Sequence, residues 1–204
     1  MQQIFRFLSE TQLPTKEALF HLRHYEECAS GEAYLALLLG TFEESQKHPP
    51  LLRLHSSCLT GDTFGSQRCD CQAQMHAALQ AIVREGRGVL LYLPQEGRGI
   101  GLAGKLHAYK LQEQGYDTVD ANQHLGYPVD ARSYTTAAAI LQDLQIERAR
   151  LMTNNPEKIA ALQAHGISIE RVPLEIPPTA SNFAYLQTKR ERMGHLLQNL
   201  PETK

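Results

Sequence analysis

The chain has 204 residues, of which 42% are hydrophobic and 21% are charged, an ordinary composition for a globular protein. No apolar run approaches the roughly 20 residues of a membrane-spanning helix, and the N-terminal segment lacks the apolar stretch of a signal peptide. We therefore expect a cytoplasmic protein without a membrane partner, and the net charge of −2 argues against a protein that wraps nucleic acid.

The order of apolar periodicity and turn residues predicts alternating strands and helices. In chain order the predicted elements are a strand at 32–40, a strand at 50–57, a helix at 71–86, a strand at 88–94, a helix at 102–115, a helix at 133–146, a strand at 148–153, a helix at 155–166, a strand at 167–173 and a helix at about 181–197. Gly86 and Gly115 end two helices, and Ser133 is expected to cap a third. This order predicts an α/β fold with a mixed sheet, flanking helices and a β-rich N-terminal part, as a single domain over 1–204.

Three of the four cysteines lie between the end of a predicted strand and the start of a predicted helix. They are Cys58, Cys69 and Cys71. Clustered thiols in a cytosolic chain indicate metal or redox chemistry, and three thiolates with an open position describe a catalytic zinc site. His55 is a conceivable fourth ligand, but strand alternation directs it with Ser57 and away from Cys58, which favours water. The alternative is three buried small residues, as we also expect for the distant Cys28, buried or half-buried.

A glycine-rich segment, YLPQEGRGIGLAGK, follows a predicted strand and opens a predicted helix. Gly99, Gly101 and Gly104 match a dinucleotide-binding fingerprint, and Asp117 and Asp120 lie at about the right distance for its acidic residue. That interpretation leaves the thiols unexplained.

The same segment nearly matches a P-loop ending at Lys105. Position 106 is leucine, however, so the hydroxyl that should bind magnesium is missing. A glycine-rich turn without function is a further alternative. Glu96 and Arg98 argue against it, because a turn needs neither a carboxylate nor a guanidinium.

Two polar segments indicate an anion site. In LMTNNPEK, Thr153 follows a strand and Pro156 occupies the first helical position, where free backbone N–H groups can bind an anion and Lys158 adds a positive charge. The alternative is simple helix capping by asparagine. Asp130 and Arg132 precede another predicted helix, and a surface salt bridge is the alternative there.

Together these motifs resemble the GTP cyclohydrolase II family, the zinc enzymes that open riboflavin biosynthesis. The resemblance is carried by RLHSSCLTGD, SQRCDC, QEGRGIGL, YDTVDAN with LGYPVDAR, and TNNPEK, and it extends from about Pro14 to KRERMGHLL.

The resemblance implies that Cys58, Cys69 and Cys71 bind Zn²⁺. The implied residues around GTP are Arg53, Leu54, His55, Ser56, Ser57, Gln74, Glu96, Gly97, Arg98, Thr118, Thr153 and Lys158. Tyr109 is implied near the reacting ring, and Asp130 and Arg132 at the α-phosphate. The family also implies a homodimer and Mg²⁺ bound with the triphosphate.

The implied reaction opens the imidazole ring of GTP at C8, which is electrophilic because it lies between two nitrogens. Formate and pyrophosphate leave, and the product is 2,5-diamino-6-(5-phosphoribosylamino)pyrimidin-4(3H)-one. In the family, the counterpart of Arg132 is proposed as a nucleophile on phosphorus, with Asp130 accepting its proton. A guanidinium has no free lone pair at neutral pH, so clamping transition-state charge is the simpler role.

The chain departs from the family pattern at Ser57, Gln72, Pro94 and Ala131. These departures leave open a divergent paralogue that acts on another purine nucleotide or stops before deformylation. A non-catalytic zinc-containing nucleotide-binding protein is a further alternative, against which the intact thiols and the Asp130–Arg132 pair argue. We also expect the C-terminal helix, through Phe183, Leu186 and Leu196, to be a candidate dimer contact.

Overall fold

The computed structural model describes residues 3–201 and contains one seven-stranded sheet with flanking helices. The strands are β1 (Phe5–Pro14), β2 (Leu19–Glu27), β3 (Ala33–Leu39), β4 (Leu51–Ser56), β5 (Gly88–Leu93), β6 (Arg148–Met152) and β7 (Ser168–Val172). The helices are α1 (Cys71–Glu85), α2 (Gly101–Gln112), α3 (Thr118–His124), α4 (Thr135–Asp143), α5 (Pro156–Ala164) and α6 (Phe183–Arg192), with short helical turns at Leu59–Thr63 and Glu96–Gly99.

The sheet is mixed, as predicted. Its strand order is β1-β2-β3-β5-β4-β6-β7. The N-terminal strands β1, β2 and β3 pair antiparallel with their neighbours and with β5, whereas β5, β4, β6 and β7 are parallel. The hairpin β1–β2 accounts for the β-rich N-terminal part, although neither of its strands was predicted individually.

The central parallel strands β4 and β5 are buried on both faces, which is why their sequences are rich in consecutive apolar residues rather than alternating. On one face Leu52 and Leu54 pack with Ile140 of α4 and Leu162 of α5. On the other face the buried residues include Leu51, Leu90, Leu79 and Ile82, the last two from α1. The sheet therefore holds α1 on one side and α4 and α5 on the other.

Two predicted helix boundaries differ from the structure. Helix α4 has Tyr134 at its N-cap without a side-chain cap, while Ser133, the predicted cap, lies one residue earlier and accepts a 3.3 Å hydrogen bond from the N–H of Thr135. Helix α6 ends at Arg192 rather than near residue 197, because the chain turns at Gly194, whose φ of 63° lies in the left-handed region.

The prediction for Cys28 was wrong. This residue is exposed rather than buried. It follows β2 directly, at the turn that leads into β3, where no element covers it.

None of the helices within residues 3–201 combines the length and the apolarity that crossing a bilayer requires.

The sheet topology creates a crevice at the carboxyl ends of β4, β5 and β6. From β4 the chain crosses through α1 to β5 on one side, whereas β6 lies on the other side of β4. Ligands of open α/β sheets bind at such a switch point, outside the carboxyl ends of the strands. Cys58, Glu96 and Thr153 follow these three strands by one to three residues.

Candidate functional site

A cleft at this switch point brings together most of the residues predicted from the sequence. Those that line it are Arg53, His55, Ser56, Ser57, Cys58, Cys69, Cys71, Gln74, Glu96, Gly97, Arg98, Tyr109, Thr118, Arg132, Thr153 and Lys158. Two predicted residues are not among its lining. The side chain of Leu54 lies in the core with 0% exposure, and Asp130 sits behind Arg132.

The three clustered thiols have the spacing of a zinc site. The sulfurs of Cys58 and Cys69 are 3.7 Å apart, and all three sulfurs lie within 4.8 Å of one another. Tetrahedral zinc with Zn–S bonds of about 2.3 Å holds its sulfurs about 3.8 Å apart, so the donor set fits zinc. A Cβ added at Gly61 would lie 3.0 Å from the sulfurs of both Cys58 and Cys69, so the turn that carries Gly61 has no room for a side chain there.

The imidazole of His55 is engaged with Asp62 rather than with the thiols. Its Nε2 lies 3.0 Å from each carboxylate oxygen of Asp62, and the hydroxyl of Tyr92 donates to the same carboxylate at 3.0 Å. Asp62 also accepts a hydrogen bond from the N–H of Cys58. This buried network, which the sequence did not reveal, holds the turn at Leu59–Thr63 against β4 and β5.

Lys105 is a second residue that the sequence analysis did not assign to the site. Its Nζ lies 3.1 Å from the sulfur of Cys58 and 2.7 Å from Oε1 of Glu96. Burial by itself lowers the pKa of Lys105, but the hydrogen bonds with Glu96 and Cys58 outweigh it and raise that pKa. Its only sequence signal was the incomplete P-loop that ends at this lysine.

The pKa of the Cys58 thiol is shifted in the opposite direction. Hydrogen bonds from the thiols of Cys69 and Cys71 lower it most, and the ammonium group of Lys105 lowers it further. Hydrogen bonds with the thiols of Cys58 and Cys69, followed by burial, raise the pKa of Cys71. The cluster therefore concentrates negative charge on Cys58, beside the one ammonium group that contacts it.

The glycine-rich turn has a strained backbone. Gly97 and Arg98 both adopt left-handed conformations, with φ of 62° and 61°, and such a conformation at a non-glycine residue is a mark of functional sites. The carbonyl of Arg98 accepts a 3.0 Å hydrogen bond from Ala131, and a Cβ at Gly99 would lie 3.1 Å from the Ala131 backbone. The turn is thus packed directly on the Asp130–Arg132 segment.

The structure does not support the dinucleotide-binding interpretation of this turn, because the two aspartates that it requires have other partners. Asp117 caps α3 through the N–H groups of Val119 and Asp120, and both aspartates form ion pairs with Arg192. Their carboxylates are thus committed to α3 and to the C-terminal segment.

Asp130 and Arg132 form a largely buried ion pair, so the surface salt bridge proposed as an alternative is wrong. The Nε of Arg132 lies 2.9 Å from Oδ1 of Asp130, and the side chains are 9% and 15% exposed for Arg132 and Asp130. Burial alone raises the pKa of Asp130, but the hydrogen bonds and charge of Arg132 outweigh it and lower that pKa. The guanidinium also donates to Ser56 at 3.4 Å.

Two buried cations lie behind this pair. The Nζ of Lys158 donates to the carbonyl of Leu54 at 2.8 Å, and burial followed by the charges of Arg53 and Arg132 lowers the pKa of Lys158 well below its usual value. Arg53 donates to the Met152 carbonyl at 2.9 Å and to Gln74 at 2.5 Å. Both side chains thus bond to neutral acceptors, and neither makes an ion pair within residues 3–201.

The start of α5 serves as a cap, as the alternative proposed. The side chain of Asn155 accepts from the N–H of Glu157, and Pro156 occupies the first turn. The hydroxyl of Thr153 accepts from the N–H of Asn155 at 3.1 Å. Capping and anion binding are compatible here, because Thr153 and Asn155 both line the cleft.

Tyr109 lies at the end of the cleft that contains the three thiols. Its hydroxyl is 3.4 Å from the hydroxyl of Thr60, and the guanidinium of Arg68 lies 4.8 Å from its ring centre. Thr118, the first residue of α3, accepts a 3.5 Å hydrogen bond from Gln112.

One departure from the family pattern has a structural account. Gln72 donates to the Asp62 carbonyl at 3.1 Å and so supports the turn at Leu59–Thr63. Ala131 is exposed, and nothing in the structure explains the alanine at that position. Ser57 lines the cleft without a side-chain hydrogen bond among the described residues, and nothing in the structure explains Pro94.

The C-terminal segment contributes cleft residues that the sequence analysis missed: Tyr185, Leu186, Lys189, His195 and Leu197. Leu186 is only 3% exposed and packs within its own chain, so its predicted place on a dimer face is wrong. Burial and then the charge of Lys189 lower the pKa of His195 to about 2, which keeps this imidazole neutral.

Comparison with known proteins identifies the family. A sequence model described as GTP cyclohydrolase II matches residues 6–173. Curated relatives include the "Riboflavin biosynthesis protein RibBA" of Bacillus cytotoxicus, 55% identical over 92% of this chain and 47% of its own length. The protein of the same name from Cytophaga hutchinsonii is 54% identical over 91% of this chain and 45% of its own. The chain thus spans about half the length of these relatives.

A solved structure is also similar, that of RibBX, a two-domain 3,4-dihydroxy-2-butanone 4-phosphate synthase from A. baumannii. It is 21% identical, has a TM-score of 0.49, and the match covers 84% of this chain and 40% of that one. The extent of the family match and the identity to the curated relatives agree with the thiol cluster and the cation-lined cleft. The chain belongs to the GTP cyclohydrolase II family.

Proposed function

We propose that this protein is a zinc-dependent enzyme that opens the imidazole ring of GTP, releasing formate and pyrophosphate to give 2,5-diamino-6-(5-phosphoribosylamino)pyrimidin-4(3H)-one. This is the first step of riboflavin biosynthesis. The observation that carries the proposal is a cluster of three thiols at one end of a cleft whose other end holds Arg53 and Lys158, which make no ion pair within residues 3–201. A nucleoside triphosphate would place its base at the thiols and its phosphates at these cations.

Cys58, Cys69 and Cys71 would hold one Zn²⁺. When bound, zinc supplies Lewis-acid activation of water near neutral pH, which suits addition at an electrophilic carbon such as C8 of guanine. Lys105 offsets the negative charge on Cys58, and Glu96 fixes that lysine while also accepting a 2.6 Å hydrogen bond from the N–H of Leu59.

Tyr109 is suited to the reacting ring. Its hydroxyl lies near Thr60 in the turn at Leu59–Thr63, where it can donate a hydrogen bond to a purine ring or accept one from it. Arg68 over the ring face holds the phenol in place.

Arg132 is suited to the α-phosphate. The Asp130 carboxylate holds the guanidinium in a fixed orientation at the cleft wall, and a preorganised guanidinium stabilises charge that develops on phosphorus. Deprotonation of Arg132 to act as a nucleophile is disfavoured. Burial lowers the pKa of the guanidinium, but the hydrogen bonds that it donates to Asp130 outweigh burial and raise that pKa. Lys158 and Arg53 would neutralise the remaining phosphates.

The remaining parts of the proposal follow the family. Mg²⁺ would bind with the triphosphate, and the protein would act as a homodimer in the cytoplasm.

The decisive experiment is incubation of purified protein with GTP, with formate and pyrophosphate assayed separately. We expect both products, and we expect Cys58→Ser to lose zinc and formate release together. Cys28→Ser is the matched control, because that thiol is exposed and outside the cleft. Parent protein without bound zinc that still releases formate would refute the proposal.

One residue, Ser57, favours a second candidate function. Ser57 lines the cleft where the family usually carries a carboxylate, and this loss is compatible with a paralogue that acts on another purine nucleotide or stops before deformylation. Pyrophosphate without formate from GTP, or turnover of another purine triphosphate alone, would select this alternative. Binding without any turnover would select the non-catalytic alternative.

A further inference from the structure

One wall of the cleft comes from the C-terminal segment, beyond the residues that the family's sequence model matches. Tyr185, Lys189 and His195 line the cleft, although the match ends at residue 173. The N–H of Leu196 donates to the carbonyl of Asn154 at 2.8 Å, and Arg171 donates to the carbonyl of Leu196 at 3.0 Å. These bonds attach the C-terminal wall, residues 183–197, to the end of β6.

Lys189 is the cation that this wall contributes. Its side chain is only 12% exposed, and its Nζ lies 4.3 Å from the ring centre of Tyr185. The guanidinium of Arg98 lies 5.6 Å from the same ring. Tyr185 thus joins the C-terminal wall to the glycine-rich turn through two cation–π contacts.

The ammonium group of Lys189 has donors left for a ligand. Its one ion-pair partner among the described residues is Asp70, at 3.5 Å. Charge-assisted N–H···O bonds are shorter, about 2.7–2.9 Å, so this contact does not saturate three N–H donors.

The neighbouring cations need an anion. Arg53 and Lys158 bond to neutral acceptors, and the buried Nε of Arg53 and Nη2 of Arg98 have no hydrogen-bond partner within residues 3–201. Buried charges are stable only when they are paired and hydrogen-bonded, so these groups indicate a ligand with several negative charges. Lys189 faces the same space.

We propose that Lys189 binds the phosphate chain of the substrate, so that the C-terminal wall completes the anion site begun by Arg53, Arg98 and Lys158. This proposal rests on the proposed function, and it assigns a substrate-binding residue that lies beyond residue 173, where the match to the family's sequence model ends. The competing role is structural. Asp70 lies between Cys69 and Cys71, so Lys189 can instead neutralise a carboxylate in the metal-binding loop.

The two roles predict different effects of Lys189→Met. Phosphate binding predicts weaker affinity for inorganic tripolyphosphate by isothermal titration, and a higher KM for GTP, each by at least about tenfold, with zinc content retained. The structural role predicts zinc loss, with unchanged tripolyphosphate affinity in the zinc-loaded fraction. Lys189→Arg should recover most of the affinity. Lys47→Met, which removes an exposed lysine charge outside the cleft, should behave as the parent.

A second measurement needs no variant. Hydrogen–deuterium exchange of residues 183–197 in the zinc-loaded parent should slow when tripolyphosphate is added, because the wall contacts the ligand. Unchanged exchange at saturating tripolyphosphate, or parent-like affinity of Lys189→Met, would overturn the inference. Failure of the proposed function gives a different result. In that case the parent protein binds tripolyphosphate but releases neither formate nor pyrophosphate from GTP.

Discussion

The Nζ of Lys105 lies 3.1 Å from the sulfur of Cys58. This contact joins α2 to the residue that precedes the turn at Leu59–Thr63. Glu96, which follows β5, accepts a second hydrogen bond from the same ammonium group. A positive charge held against a ligand sulfur stabilises the thiolate, which is the form that binds a metal.

The first prediction concerns this lysine. Lys105→Met should weaken zinc affinity by about tenfold to a hundredfold, the usual effect of removing a group that supports a metal ligand. Competition with a chromophoric chelator measures it. Lys110→Met, an exposed position on the same helix, is the control. Equal zinc affinity in the parent and in Lys105→Met would show that the contact is not needed for metal binding.

Gly61→Ala tests the space between the thiols. The added Cβ would lie 3.0 Å from the sulfurs of Cys58 and Cys69, so the sulfurs must move apart and zinc affinity should fall by at least about tenfold. Metal analysis after dialysis measures the loss. Gly31→Ala is a suitable control, because nothing lies within 4 Å of its added Cβ; its positive φ costs about 1 kcal/mol of unfolding free energy without affecting zinc. Full zinc retention by Gly61→Ala would contradict the assigned ligands.

Arg132→Ala should abolish pyrophosphate release from GTP, because it removes the guanidinium that Asp130 orients and that we assign to the α-phosphate. Pyrophosphate is assayed alongside formate, so that loss of one step is distinguished from unfolding. Arg148→Ala, at an exposed position of β6, serves as the comparison. Pyrophosphate release at the parent rate by Arg132→Ala would remove Arg132 from the phosphate step.

Ser57→Glu should raise kcat/KM for GTP. A carboxylate beside Cys58 can accept a charge-assisted hydrogen bond, which a hydroxyl makes only weakly. Such a bond is worth about 1.5–3 kcal/mol, which corresponds to an increase in kcat/KM of roughly tenfold to a hundredfold. Steady-state kinetics of both proteins give the ratio. If both are inactive on GTP, the cleft serves another nucleotide, and other purine triphosphates should be screened.

The homodimer expected from the family is tested by sedimentation at micromolar concentration. Leu186 cannot contribute to the interface, because it is buried in its own chain, so Leu186→Ala should destabilise the monomer fold by about 2–5 kcal/mol rather than dissociate the dimer. Leu196, which is 44% exposed, is still available to a partner, and Leu196→Ala is the paired variant. A monomer at micromolar concentration in the parent would refute the expectation.

Local sequence was enough to predict the central elements and the cluster of three thiols. The strands at 50–57 and 88–94 were found because buried parallel strands are continuous apolar runs, and the helix at 71–86 because its apolar spacing ends at a glycine. The thiol cluster was found because Cys58 and Cys69 flank one loop, whose ends must lie close together. These signals involve residues near one another in the chain.

The tertiary structure decided which distant groups meet. Strand β1 is exposed along most of its length without a regular apolar alternation, and it is a strand because it pairs with β2. Lys105 and Lys189 entered the site only through the tertiary arrangement, which brings the ends of β4, β5 and β6 together and lays the C-terminal segment beside them. Contacts between residues dozens of positions apart leave no periodicity in the sequence, because they depend on how whole elements pack.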